Sequence, residues 1–470
     1  MKNKIIFNFL LILLLIVSMK SELRIPFKTK IFSNFPQKIV TQEDLQNVLI
    51  NLIHNDIYIE LDVGMPLQQR IESFLKLEEF PFFIQGKDIP SSKYNQTKST
   101  TYKSELYPHV FVEGEEQIKW GYVSNETIEI KNLANKLSIE KFNFILVTET
   151  KTDSPSNIGL MIPNQYTSIP DISFIIQLKK QNLIDLYSFV LNYTSYEKGE
   201  GEFIIGGPPH FYDNKYNDKY YMSENAIPKP KYMMYGLAFD SINYGNNKTN
   251  IGGIMQSKFL SDFGLIIGSN NYYEIIYEKF FRENIENKIC YKNEIKVNIE
   301  WREGVKNFEY FYCDKNKVDI SKLENLKFIH NKMNYTFEFN YTELFYVFDN
   351  YYIFKILFSK GSNFYWIFGK PWLAKYLMVF DQDSKTIGHY FYVDYDLNDN
   401  NNQIYDKDNN KINIDLIVII ICLILIILGL GIIFLYYKFR TRRPRRHNEI
   451  NDGYEYNEEN NNQNRLINEN

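Results

Sequence analysis

Short segments rich in β-branched and aromatic residues, separated by turns, fill the chain between residues 52 and 397. The clearest are Ile57–Val63, Glu126–Lys131, Phe142–Val147, Glu202–Ile205 and Tyr346–Phe354. Several alternate in polarity, which is typical of half-buried strands, and an aromatic content of 16% also favours sheets. Helical spacing is clear only over residues 173–183 and 272–284. The sequence therefore predicts a mainly β protein with few helices.

Two apolar segments near the ends of the chain predict its topology. Lys2 and Lys4 precede the first, Ile5–Val17, and polar residues follow it. This layout is typical of a signal peptide over residues 1–21, with an uncleaved anchor as the alternative. The second, Leu416–Tyr437, contains no charged residue and is long enough to cross a bilayer. We therefore expect a single-pass type I membrane protein.

The residues around the second apolar segment fit this topology. The segment is followed by Lys438, Arg440, Arg442, Arg443, Arg445 and Arg446. Basic residues on this side place the tail, residues 438–470, in the cytosol. The Asn-rich composition of residues 398–415 is typical of a flexible stalk. The bulk of the chain is then expected in the secretory pathway, at the cell surface or in an acidic endolysosomal compartment.

Composition and residue placement exclude several other functions. The net charge is −4, and the basic cluster lies beside the predicted membrane helix, so nothing indicates nucleic-acid binding. The six histidines are scattered, and we expect no metal site, cofactor or Ser-His-Asp arrangement.

Two further features belong to a secreted domain. Cys290 and Cys313 are expected to pair in an oxidising compartment, because they are the only cysteines outside the predicted membrane helix. Candidate glycosylation sequons begin at Asn95, Asn125, Asn192, Asn247, Asn334 and Asn340.

An ordered set of motifs between about residues 56 and 392 resembles the pepsin-like aspartic peptidases. The matching segments are Ile57–Gln68 with a Gly-x-Pro-x-Gln turn, Ser99–Tyr102, Phe174–Phe189, Gly201–Phe203 with Gly206-Gly207, and Tyr365–Gly369 with Val379–Asp381. The resemblance implies a bilobal, mainly β fold with an N-terminal lobe over 52–220 and a C-terminal lobe over 221–397. Residues 22–51 would be an N-terminal segment or a propeptide remnant. A cleft between the lobes would bind a peptide or protein.

The family cleaves peptides with two facing aspartates that share one proton, each on an Asp-Thr/Ser-Gly turn. Asp262-Phe263-Gly264 keeps the second acid, but Phe263 replaces the hydroxyl residue that braces the turns. Counting from Gly64 places Leu75 at the first acid position. We therefore predict an impaired or inactive member of the family that binds a peptide or protein.

Two alternatives concern the residues that follow Leu75. Glu78 or Glu79 could replace the missing acid, which would make the chain an active membrane-anchored endopeptidase using Asp262. If the two turns face each other, Lys76 would pair with Asp262 and lower its pKa; otherwise it points to solvent.

Overall fold

The structure is a computed structural model. It describes residues 22–30, 41–54, 56–79, 81–105, 109–113, 117–132, 136–150, 155–161, 172–195, 198–226, 235–245, 247–249, 255–299, 304–359 and 365–390. Contacts divide the chain into two units, Met1–Asp394 and Tyr395–Asn470, and all described residues belong to the first.

The described residues form 27 strands, numbered here in chain order. The first twelve are β1 Leu23–Thr29, β2 Ile57–Val63, β3 Gln69–Lys76, β4 Phe82–Gln85, β5 Lys103–Ser104, β6 His109–Glu113, β7 Gln117–Lys131, β8 Lys136–Thr150, β9 Asn157–Gly159, β10 Ser188–Ser195, β11 Glu200–Ile205 and β12 Tyr221–Asn225. The others are β13 Ala238–Phe239, β14 Ser241–Tyr244, β15 Asn247–Thr249, β16 Met255–Phe259, β17 Ile266–Gly268, β18 Cys290–Ile299, β19 Gly304–Asp314, β20 Leu326–His330, β21 Tyr335–Phe339, β22 Phe345–Phe348, β23 Tyr351–Phe354, β24 Ile356–Ser359, β25 Tyr365–Phe368, β26 Met378–Asp381 and β27 Thr386–Tyr390.

Helices are few and short in the described part of the chain. They are α1 Gln42–Ile53, α2 Phe174–Lys180, α3 Asn270–Ile276, α4 Arg282–Glu286 and α5 Lys370–Lys375, with a π-helical segment Tyr277–Phe281 between α3 and α4. No helix among these residues is long and apolar enough to cross a membrane. The predicted span 416–437, like the signal peptide, stalk and tail, lies outside the described residues.

The strands form sheets of 14, 9 and 4 members within the described residues. The largest sheet joins both ends of the domain, because β26 pairs with β10 and β27 pairs with β12. The nine-stranded sheet contains β16, β17, β24 and β25 and lies wholly in the second half. This mainly β architecture with few helices is consistent with the bilobal fold expected from the sequence.

Most predicted elements are present, with different bounds. Strand β2 covers Ile57–Val63 as predicted, whereas Glu126–Lys131 and Phe142–Val147 lie within longer strands. The prediction of one strand over Tyr346–Phe354 is wrong, because the segment is the hairpin β22–β23. Its turn includes Asp349 with φ of 50°, a conformation that aspartate tolerates better than most residues.

The N-terminal segment contributes to the core. β1 lies between β11 and β2 in the largest sheet, and its side chains Leu23, Ile25 and Phe27 are buried. Helix α1 begins with a capping box between Thr41 and Asp44 and buries one apolar face against the second half of the domain. Because these residues complete a sheet and a core, they position the candidate site described next.

Candidate functional site

Two chain segments meet where the family resemblance places the active-site turns. The first leaves the end of β3 at Lys76, and the second leaves β16 after Phe259 and runs to β17. Each segment is held by a parallel neighbouring strand, since β3 pairs with β9 and β16 pairs with β25.

The two segments have matching backbone environments. Lys76 stands opposite Gly159 in the β3–β9 ladder, and Leu260 donates its N–H to the Phe368 carbonyl, next to Gly369. The N–H of Gly159 bonds to the Pro81 carbonyl, and that of Gly369 bonds to the Leu265 carbonyl. Pro81 follows Lys76 in the sequence by the same number of positions as Leu265 follows Leu260. Residues 76–78 therefore correspond to residues 260–262.

Gly369 is required by this packing. A Cβ at this position would collide with the carbonyl oxygens of Phe263 and Leu265, so only glycine lets the chain approach the turn so closely.

Ser261 joins the two segments through its hydroxyl group. Oγ donates a hydrogen bond to the Leu75 carbonyl oxygen at 2.6 Å and accepts one from the Leu77 N–H at 3.1 Å. Ser261 is fully buried, so both bonds are shielded from water. The hydroxyl that braces the segments thus precedes Asp262, whereas the sequence comparison had looked for it at Phe263.

Lys76 forms two ion pairs with carboxylates from different parts of the chain. Its Nζ lies 2.8 Å from Oδ2 of Asp262 and 3.1 Å from Oδ1 of Asp56. The Lys76 side chain is 5% exposed and each carboxylate side chain 20% exposed. The predicted pairing of Lys76 with Asp262 is confirmed, and the alternative that Lys76 points to solvent is wrong.

The N-terminal segment reaches this cluster through the end of α1. The Ile53 carbonyl oxygen accepts a hydrogen bond from the Gly264 N–H at 2.9 Å, and His54 forms a β-bridge with Phe263. Two residues later the same segment presents Asp56 to Lys76. Ile53, His54 and Asp56 therefore form one wall of the site.

The electrostatics of Asp262 are set by its cationic neighbours. Burial acts to raise its pKa, but the charge and hydrogen bond of Lys76, together with the charge of His54, outweigh burial and hold the pKa below the ordinary 3.8. Asp262 is therefore ionised at neutral and mildly acidic pH.

Glu78 carries the opposite perturbation close by. Burial raises its pKa well above the ordinary 4.5, and the negative charge of Asp262 raises it further against the opposing charge of Lys76. Glu78 is 4% exposed, and its Oε2 has no hydrogen-bond partner among the described residues. A carboxyl group whose surroundings favour its neutral form thus lies close enough to Asp262 to feel the charge of that carboxylate.

Leu75, the residue that counting from Gly64 places at the first acid position, lies in the hydrophobic core and is fully buried. The next residue, Lys76, meets Asp262, since successive strand residues point to opposite faces. Phe263 and Leu265 are also buried, in the apolar cluster that includes α1.

Sequence reasoning missed the roles of Ser261 and Asp56. The sequence offered a signal for Ser261, because a hydroxyl residue next to an aspartate is typical of the hydrogen bonds that join the two active-site turns. Asp56 carried none, since its contact with Lys76 depends on how α1 and β2 are placed.

The other predicted sites lie away from this cluster. Cys290 and Cys313 form a disulfide with an Sγ–Sγ distance of 2.03 Å, joining paired positions of β18 and β19. No group of three or more His, Cys, Asp and Glu side chains in the described ranges could hold a metal ion.

The sequons occupy different surroundings. Asn192 lies within β10 and is 9% exposed, whereas Asn334 is exposed in a turn. Asn95, Asn125 and Asn340 are partly exposed, and Asn247 lies on β15.

Comparison with known families identifies one match. The model described as "Asp: Eukaryotic aspartyl protease" matches residues 87–390, a range that includes Asp262 and begins after Lys76. No curated protein matches the chain.

Proposed function

Because the chain belongs to the eukaryotic aspartyl protease family, we propose that it is a membrane-anchored, non-catalytic member whose cleft binds a peptide or protein. A domain of this family implies substrate binding in a cleft. Such a protein no longer cleaves peptides, and its cleft serves only to recognise them.

The observation that carries the proposal is the ion pair between Lys76 and Asp262. Peptide hydrolysis in this family needs two carboxyl groups that share one proton. An ammonium group 2.8 Å from Asp262 favours its ionised form instead. Lys76 itself also cannot replace a carboxyl group, because its side chain carries an ammonium group.

The backbone correspondence supports the loss of both acids. Ser261 makes the bracing hydrogen bonds, and in an Asp-Thr/Ser-Gly turn the hydroxyl residue directly follows the acid. By this criterion Leu260 occupies the second acid position and Lys76 occupies the first. Glu78 and Asp262 then stand at the two glycine positions, where each adds a carboxylate that the family's turn lacks.

The test is a cleavage and binding assay on the purified full-length protein in detergent. At acidic and at neutral pH, we expect no cleavage of a peptide library that is sensitive to a statine-type inhibitor. We expect selected peptides to bind both the wild type and Asp262→Asn. Specific turnover that Asp262→Asn abolishes would overturn the proposal. If no peptide binds, the proposal that the cleft recognises a peptide or protein is wrong.

The pair of Glu78 and Asp262 favours a second candidate function, an aspartic endopeptidase with displaced acids. Their pKa values are moved in opposite directions, as in a general acid and general base pair. This function requires that Glu78→Gln and Asp262→Asn each abolish turnover. Glu72→Gln, on strand β3 and ion-paired with Lys93, is the control.

Membrane attachment rests on the sequence of residues 416–446. We propose one membrane helix over 416–437 with the domain outside the cytosol. Alkaline carbonate should leave the full chain in the membrane fraction and release a chain ending at residue 397. Release of the full chain would contradict this part of the proposal.

A further inference from the structure

A cavity of about 260 Å³ opens on the second half of the domain, formed by α3, β19 and the end of β24. It is lined by Asn270, Tyr273, Glu274, Glu309, Phe358 and Ser359. None of these residues takes part in the site around Asp262.

Aromatic rings form one wall of this cavity. Tyr273 meets Phe358 edge to face with ring centroids 5.2 Å apart, and it stacks on Phe311 at 5.8 Å. Tyr277, one helical turn later, stacks on Tyr273 at 5.7 Å. The ring of Tyr273 is therefore fixed from several sides.

Carboxylates provide the polar part of the cavity. Glu309 stands opposite Phe358 in the β19–β24 ladder, which places both side chains on one face of the sheet, and it is 9% exposed. Glu274 follows Tyr273 on α3 and is exposed. The cavity thus combines an inner and an outer carboxylate with a ring face.

The chain already places one ammonium group beside these groups. Nζ of Lys292 lies 3.2 Å from the Tyr273 hydroxyl and 3.6 Å from Oε1 of Glu309. It also lies 5.9 Å from the Tyr273 ring centroid and 5.7 Å from that of Tyr277. Lys292 itself is 36% exposed and comes from the neighbouring strand β18, so it can leave without disturbing the core.

We propose that this cavity is a binding site for an organic cation, an alkylammonium or guanidinium group of the size of a lysine or arginine side chain. Carboxylates and an aromatic face together attract such a cation more than either does alone. The volume is below the roughly 300 to 1,000 Å³ of sites for drug-sized ligands, so it suits a single side chain or a small amine. Lys292 is the internal competitor for the same groups.

The experiment titrates the full-length protein in detergent with n-butylammonium, using n-butanol as the neutral counterpart, and follows binding by saturation-transfer NMR. We expect the ammonium to bind and the alcohol to bind at least fivefold more weakly. Equal binding of both compounds would overturn the proposal, because the carboxylates would then contribute nothing.

Two variants test the assignment of the residues. Lys292→Met removes the competing ammonium and should tighten n-butylammonium binding by roughly fivefold. Glu274→Gln, an exposed position where folding is not at risk, should weaken it by roughly two- to fivefold. If neither variant changes the affinity, the ligand lies elsewhere and the proposal fails.

A third arm identifies the source of the cation. Peptides of three residues with blocked ends and a central lysine or norleucine are compared with free n-butylammonium. Stronger binding of the lysine peptide than of the free amine indicates a basic side chain of a partner protein. The reverse order indicates a small amine.

Discussion

Nζ of Lys76 lies 2.8 Å from Oδ2 of Asp262, so a lysine from the first half of the domain neutralises the carboxylate that the second half presents. The same ammonium group bonds to Asp56 at 3.1 Å. This arrangement ties three separate segments of the chain together where the family resemblance places the active-site turns.

Lys76→Met should lower the free energy of unfolding by about 3 kcal/mol, because removing one member of a buried ion pair leaves its partner without compensation. Denaturant unfolding of the purified protein measures this loss. The double variant Lys76→Met/Asp262→Leu should lose less, since no unpaired Asp262 remains. An equal loss in both variants would show that the ion pair is not the origin of the effect.

Glu78→Gln should stabilise the protein at neutral pH and have little effect near pH 4. The pKa of Glu78 is raised in the folded state, so its contribution to stability is complete below the ordinary value of 4.5 and declines as the pH rises above it. Glutamine removes this decline. Thermal unfolding at the two pH values, with Glu72→Gln as control, measures the change in stability. An equal gain in stability at both pH values would contradict the raised pKa of Glu78.

Leu75→Asp should not create proteolytic activity, and it should lower the free energy of unfolding by roughly 3 kcal/mol or more. Leu75 is fully buried in an apolar cluster, where a carboxylate has no compensating partner. Leu75→Met, which preserves apolar volume, should cost less than about 1.5 kcal/mol. Denaturation and the cleavage assay together check both statements, and strong cleavage by the aspartate variant would refute the first.

Asn192 should be unmodified in the folded protein, whereas Asn334 should carry a glycan. Asn192 is 9% exposed on β10, between β11 and β26, where a glycan has no space. Asn334 is exposed in a turn between β20 and β21. Glycopeptide mass spectrometry after secretory expression decides this, and Asn334→Gln should change the electrophoretic mobility while Asn192→Gln should not.

Phe27→Ala should lower the free energy of unfolding by about 3 to 5 kcal/mol, because Phe27 is 1% exposed and packs on Tyr193 with centroids 5.0 Å apart. Lys28→Ala, at an exposed neighbouring position, should change it by less than about 0.5 kcal/mol. Denaturant unfolding compares the two. Equal, small effects would mean that β1 is a dispensable N-terminal segment.

The sequence by itself determined the fold class, the bounds of β2 and the pairing of Cys290 with Cys313. These depend on alternation along the chain and on the rarity of cysteine, both of which are local properties. The hairpin β22–β23 is missed by the strand pattern because its turn at Asp349 and Asn350 contains neither glycine nor proline, and the weaker turn preference of Asp and Asn is its only local signal.

The tertiary structure decided the site. Leu75 and Lys76 are neighbours in sequence, and only the register of β3 against β9 shows that Lys76 faces Asp262 and Leu75 faces the core. A shift of one residue exchanges the faces of a strand, so counting along the chain could not settle which residue occupies the site. The contact of Asp56 with Lys76 and the bonding partner of the Ser261 hydroxyl were likewise decided by the tertiary structure, because they join residues 20 and 186 positions apart, and such pairing is set by the packing of the whole domain.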